Sequence, residues 1–66
     1  MSDINLIRLP EVIEKIRLKK SSIYHLISLN QFPRPIKLGP RSVAWVESEV
    51  DEWVIIRLNQ REEGRD

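Results

Sequence analysis

The sequence predicts a mainly helical chain with one small β-hairpin, and three observations carry that prediction. Two short amphipathic stretches, ending near Ile16 and Ser28, are separated only by Arg17-Leu18-Lys19. Pro33 and Pro35 then forbid helix and lead into two alternating segments joined by Gly39-Pro40-Arg41-Ser42. A third helical pattern opens around Glu47-Ser48-Glu49. The order helix, turn, helix, hairpin, helix is that of a winged helix-turn-helix.

Each element has a local reason. Met1 to Asn5 reads as a loose lead. Leu6-Ile7-Arg8-Leu9 is short and apolar, suited either to pairing weakly with a later strand or to covering the core. Pro10-Glu11 starts the first helix, because proline fits the first helical position and an acid suits the positive helix end. Leu9, Val12, Ile13 and Ile16 share one face, with Glu11 and Glu14 outside.

In the second helix Ile23, Leu26 and Ile27 fall within about 100° of arc. Ser21, His25 and Ser28 point the other way, flanked by Ser22, Tyr24 and Leu29. Ser21 is the expected cap, since lysines occupy the positions before it. Asn30 is the expected stop, because asparagine tolerates the left-handed conformation that ends helices.

Phe32 is expected to plug the core. Ile36-Lys37-Leu38 and Val43-Ala44-Trp45-Val46 form the hairpin, with Lys37 and Arg41 near its tip. Ser48 and Asp51 make a capping-box-like start to the third helix. Val50, Trp53, Val54 and Leu58 are its expected core stripe. Arg57 lies inside that arc and must snorkel or pair, while Ile55 and Ile56 lie outside it. Gln60 to Asp66 reads as a charged, frayed tail.

Composition bounds the function. Sixty-six residues suit one domain with a small core. There is no cysteine and a single histidine, so neither a disulfide nor a metal cluster is expected, and no cofactor is called for. No apolar run is long enough for a membrane span or a signal peptide, so the expected location is the cytoplasm.

The charge is asymmetric. From Arg8 to Arg41 eight basic residues face two acids, a balance of +6. From Ser42 to Asp66 seven acids face three arginines, a balance of −4. A basic front and an acidic rear fit an oriented polyanion binder. Catalysis finds little support: Glu11 and Glu14 stand on a polar face, and no serine or cysteine has an activating partner in sequence.

A helix with short polar outer residues and lysines at its start suits the DNA major groove. On this reading Ser21, Ser22, His25 and Ser28 face bases and Tyr24 faces the backbone. Lys19, Lys20, Lys37 and Arg41 meet phosphates. The competing reading is a protein-interaction module, docking through the acidic third helix with its exposed Ile55 and Ile56. The same two isoleucines give the expectation of a weak homodimer.

The chain also resembles the AlpA family of prophage regulatory proteins, close to excisionase-like and MerR-like winged helices. The resemblance rests on Arg8-Leu9-Pro10-Glu11-Val12, Ser22-Ile23-Tyr24, Phe32-Pro33-Arg34-Pro35, Lys37-Leu38-Gly39, Trp45 and Ser48-Glu49-Val50-Asp51-Glu52-Trp53. It covers roughly residues 6 to 58. It implies DNA binding through the second helix and the wing, and regulation of prophage or integrative-element genes. It also implies assistance to excision, with a phage integrase as partner. The family usually has glycine near Arg17 and at Asn30, serine-arginine at Lys19-Lys20, and arginine at His25.

Overall fold

A computed structural model describes residues 3–64, with side chains through Arg61. The elements are β1 (Leu6–Ile7), α1 (Leu9–Ile16), α2 (Lys20–Ser28), β2 (Ile36–Gly39), β3 (Ser42–Val46) and α3 (Glu47–Gly64). This is the expected winged helix-turn-helix. The wing is one strand wider than the hairpin alone, because Leu6 and Ile7 pair antiparallel with Val46 and Trp45. The sheet order is β1-β3-β2.

α1 begins one residue before the proline. Arg8 is its N-cap, and the Arg8 amide donates to the Glu11 carboxylate at 2.9 Å, half of a capping box. Arg17 then leaves the helix with φ 60° and ψ 34°, its amide donating to the Ile13 carbonyl at 2.7 Å. That single backbone bond is the left-handed cap that glycine usually makes.

α2 starts from Lys19, which is extended (φ −77°, ψ 163°) and makes no side-chain capping bond. The expected cap, Ser21, is already inside the first turn and does not cap. The turn after Arg17 delivers helical backbone two residues too early for it. The far end of α2 is closed by a Schellman pair. The Asn30 amide donates to the Ile27 carbonyl at 3.0 Å and the Gln31 amide to the Leu26 carbonyl at 2.8 Å, with Asn30 at φ 60°. Arg17 and Asn30 are the two non-glycine residues with positive φ among those described.

In the hairpin Ile36 faces Ala44, Lys37 faces Val43 and Gly39 faces Ser42, so Leu38 is the extra residue of a bulge. β3 runs into α3 without a loop, and the Glu47 amide donates back to the Asn5 carbonyl at 2.8 Å. The helix therefore begins before Ser48, which lies in its first turn rather than at its cap.

The core takes one buried anchor from almost every element: Ile7, Val12, Ile23, Phe32, Trp45 and Val50. Fully burying such a side chain contributes about 1.5–3 kcal/mol. Trp45 is completely buried, and its indole N–H donates to the Pro33 carbonyl at 3.0 Å. The proline-rich segment is thus fastened to β3, and Phe32 plugs the core as expected.

The core stripe of α3 is shorter than its pattern predicts. Val50 is buried, Trp53 and Val54 are half-buried, but Leu58 is 46% exposed. The helix outruns the core it packs against, so its fourth apolar position borders an open groove with Ile16 and Leu18 instead of being buried. Arg57 resolves its misplaced charge by stacking over the Trp53 ring, 4.5 Å from the centroid. The expected tail from Gln60 is helical through residue 64; residues 65 and 66 lie outside the described part. No described helix is long and apolar enough to cross a membrane.

Candidate nucleic-acid interface

α2 presents its outer side as the periodicity requires. Ile23 is fully buried, and Leu26 and Ile27 pack against the core. Lys19, Lys20, Ser21, Tyr24, His25 and Ser28 are exposed, and Ser22 is half-buried on the flank. The Ser28 hydroxyl donates to the His25 carbonyl at 2.7 Å, which spends its proton inside the helix and leaves its oxygen as an acceptor. His25 itself stands in solvent at the centre of this face.

Tyr24 joins the helix to the wing. Its ring meets Trp45 edge to face with centroids 6.2 Å apart. Since Trp45 belongs to β3, this contact ties α2 to the hairpin strand. At the hairpin, Lys37 and Arg41 are exposed, Arg41 within the turn itself. Gly39 has no left-handed φ, and a Cβ there would meet only the Ser42 Cβ at 3.9 Å, so glycine is not sterically required.

Other basic residues behave in ways the pattern did not single out. Arg34 is exposed and its guanidinium donates to the Asn30 side-chain oxygen at 3.0 Å, tethering the proline segment to the end of α2. The sequence marked Asn30 as a helix end but did not single out its bond to Arg34, because the segment between them is not helical. Arg17 is exposed at the turn between the helices. Lys15, by contrast, is withdrawn from the basic front. Its ammonium lies 2.9 Å from Asp51 and 3.2 Å from Glu47, and hydrogen bonds to Asp51 and then Glu47 hold it charged to higher pH than usual.

Among the described residues there is no group of three or more histidine, cysteine, aspartate or glutamate side chains placed to hold a metal. One open groove lies beside α1, lined by Pro10, Glu11, Glu14 and Lys15 with Glu47, and another runs between the end of α1 and α3, lined by Ile16, Leu18, Val54 and Leu58.

The fold and this face together define a winged helix-turn-helix domain with an exposed polar second helix and a basic wing. The chain belongs to the family described as Prophage CP4-57 regulatory protein (AlpA), whose model matches residues 5–62. It is similar to an uncharacterized protein, ORF88, of Enterobacteria phage P4, with 42% identity over 60 residues, covering 91% of this chain and 68% of that protein. It is also similar to the DNA-binding transcriptional activator AlpA of Escherichia coli strain K12, with 36% identity over 59 residues, covering 80% of this chain and 84% of that protein.

Proposed function

We propose that this protein is a sequence-specific DNA-binding regulator of a prophage or integrative element, acting in the cytoplasm, with α2 in the major groove and the hairpin on the flanking backbone. The observation that carries the reading is the outer face of α2. Short side chains surround His25 there, with Lys19 and Lys20 at the helix start. Short polar residues let the backbone approach base edges, and lysines neutralise phosphates. His25 is the longest side chain at the centre of that face and the candidate base reader. A neutral imidazole offers one donor and one acceptor to a base edge. Ser21, Ser22 and Ser28 line its surroundings, Tyr24 reaches toward the backbone, and Lys37 and Arg41 meet phosphates beside the groove. Membership of a prophage regulatory family and the similarity to a named DNA-binding transcriptional activator support the same reading.

Footprinting on the DNA flanking the protein's own gene tests it. Protection over a promoter makes the protein a transcriptional regulator. Protection over an attachment site makes it a recombination factor that shapes DNA for an integrase. Mobility shifts absent at every salt concentration would overturn DNA binding and leave the interaction-module reading.

A further inference from the structure

α3 is built for a contact that one chain does not supply. It is 18 residues long, about 27 Å. Every side chain from Ile55 to Arg61 is exposed. The radius of gyration is 12.8 Å, against about 11 Å for a compact chain of this length. A helical half that projects without tertiary packing is only marginally stable in water.

The projecting half carries a seam. Asp51, Val54, Leu58 and Arg61 are spaced three, four and three residues apart, the spacing of alternate a and d positions in a coiled coil. Val54 and Leu58 form its apolar centre, and Ile55 widens it on one side. Ile16 and Leu18 from the end of α1 and the turn border the same groove on the other. Ile56 stands about 100° from Ile55 around the helix and is outside the seam.

The seam positions themselves end in opposite charges, Asp51 and Arg61. Glu47, Glu49 and Glu52 lie in the same first turns as Asp51, and Arg57 precedes Arg61, before Glu62 and Glu63 bring acids back in the last turn. Turned end for end, the seam sets Asp51 against Arg61 at both of its ends. Asp51 accepts Lys15 at one oxygen and remains half-exposed, able to take a second cation.

We propose that α3 pairs antiparallel with α3 of a second copy of this chain. Val54 then lies opposite Leu58 of the second copy, and Asp51 opposite Arg61. The charge pattern selects this direction, because a parallel pair sets Asp51 against Asp51 and Arg61 against Arg61. The contact is isologous and closes as a twofold dimer. It does not rest on the DNA reading, although with that reading it supplies two second helices for two half-sites.

The test uses the full chain without DNA. Sedimentation equilibrium up to millimolar chain should show a monomer–dimer equilibrium. Leu58→Glu should abolish it with the circular dichroism of the fold retained, because position 58 is exposed in the single chain. Arg61→Glu should weaken it about tenfold. The absence of native cysteine makes cross-linking clean. Asp51→Cys mixed with Arg61→Cys should give the mixed disulfide. Asp51→Cys alone should give none, since the two copies of position 51 sit about 15 Å apart along the axis. A wild-type monomer at all concentrations, a dimer untouched by Leu58→Glu, or a dominant disulfide between two copies of position 51 would each overturn the proposal.

Discussion

Tyr24 of α2 and Trp45 of β3 meet edge to face, with ring centroids 6.2 Å apart and planes inclined at 65°. Trp45 is immobilised by complete burial and by its bond to the Pro33 carbonyl, while Tyr24 is 38% exposed. One ring is therefore an anchor and the other a strut from that anchor to the outer face of α2. Tyr24→Ala should lower unfolding free energy by about 1–2 kcal/mol, and Tyr24→Phe should keep most of it, because the contact is made by the ring. Urea unfolding followed by tryptophan fluorescence measures both. If phenylalanine cost as much as alanine, the hydroxyl rather than the ring would hold the two elements together.

His25→Ala should separate recognition from stability. Unfolding free energy should stay within about 0.5 kcal/mol of wild type, because the side chain is in solvent. Binding to the cognate site should fall by about 1–3 kcal/mol, with a much smaller loss on scrambled DNA. Paired titrations at fixed salt read the difference. Equal losses on both DNAs would reassign His25 to the phosphate backbone.

Lys37→Ala and Arg41→Ala should weaken binding to every sequence alike. Each should also reduce the slope of log affinity against log salt by about 1. An unchanged slope for Arg41→Ala would place the hairpin off the DNA.

The two left-handed residues should respond differently to glycine. Arg17 uses only its backbone at the cap, so Arg17→Gly should be neutral or stabilising and Arg17→Val should cost about 1–2 kcal/mol. Asn30 uses its side chain as well, as the acceptor for Arg34. Asn30→Gly should therefore keep the helix end yet loosen the proline segment, detectable as faster exchange of the Trp45 indole N–H that donates to the Pro33 carbonyl. Identical behaviour of the two glycine variants would remove any role for the tether.

Lys15 gives the pH dependence. Its ammonium is held by Asp51 and Glu47, so its folded pKa lies above the ordinary 10.5. A raised cationic pKa contributes stability that is present below the unfolded value and lost as pH climbs through the folded one. Lys15→Met should be less stable than wild type at neutral pH, and the gap should close above pH 10.5. High salt should shrink the gap as well, because the pair is solvent-accessible. A gap that persists at high pH would trace the effect to the packing of the lysine stem.

The local grammar of this chain was legible without coordinates. Apolar spacing was enough to orient α1 and α2, because a helix face is a matter of 100° steps. Pro33, Pro35 and the Gly39-Pro40 turn restricted the backbone to an extended segment and a hairpin, and Asn30 marked a helix end. The outward position of His25 followed from the burial of Ile23 on the opposite side. The order of these signals already gave a winged helix-turn-helix, and the family resemblance added the expectation of a prophage regulator.

Tertiary structure decided what depends on neighbours distant in sequence. Leu6 and Ile7 became a strand because Val46 and Trp45 offered a free edge. Ser21 and Ser48 lost their capping roles because the turn and the β3–α3 junction start each helix earlier than side-chain preference would. Lys15 left the basic front because α3 brings Asp51 and Glu47 to it. Leu58 has the spacing of a core residue, but the small core ends before reaching it. Periodicity specifies which residues share a face; only the packed chain specifies how far along the helix that face has something to touch.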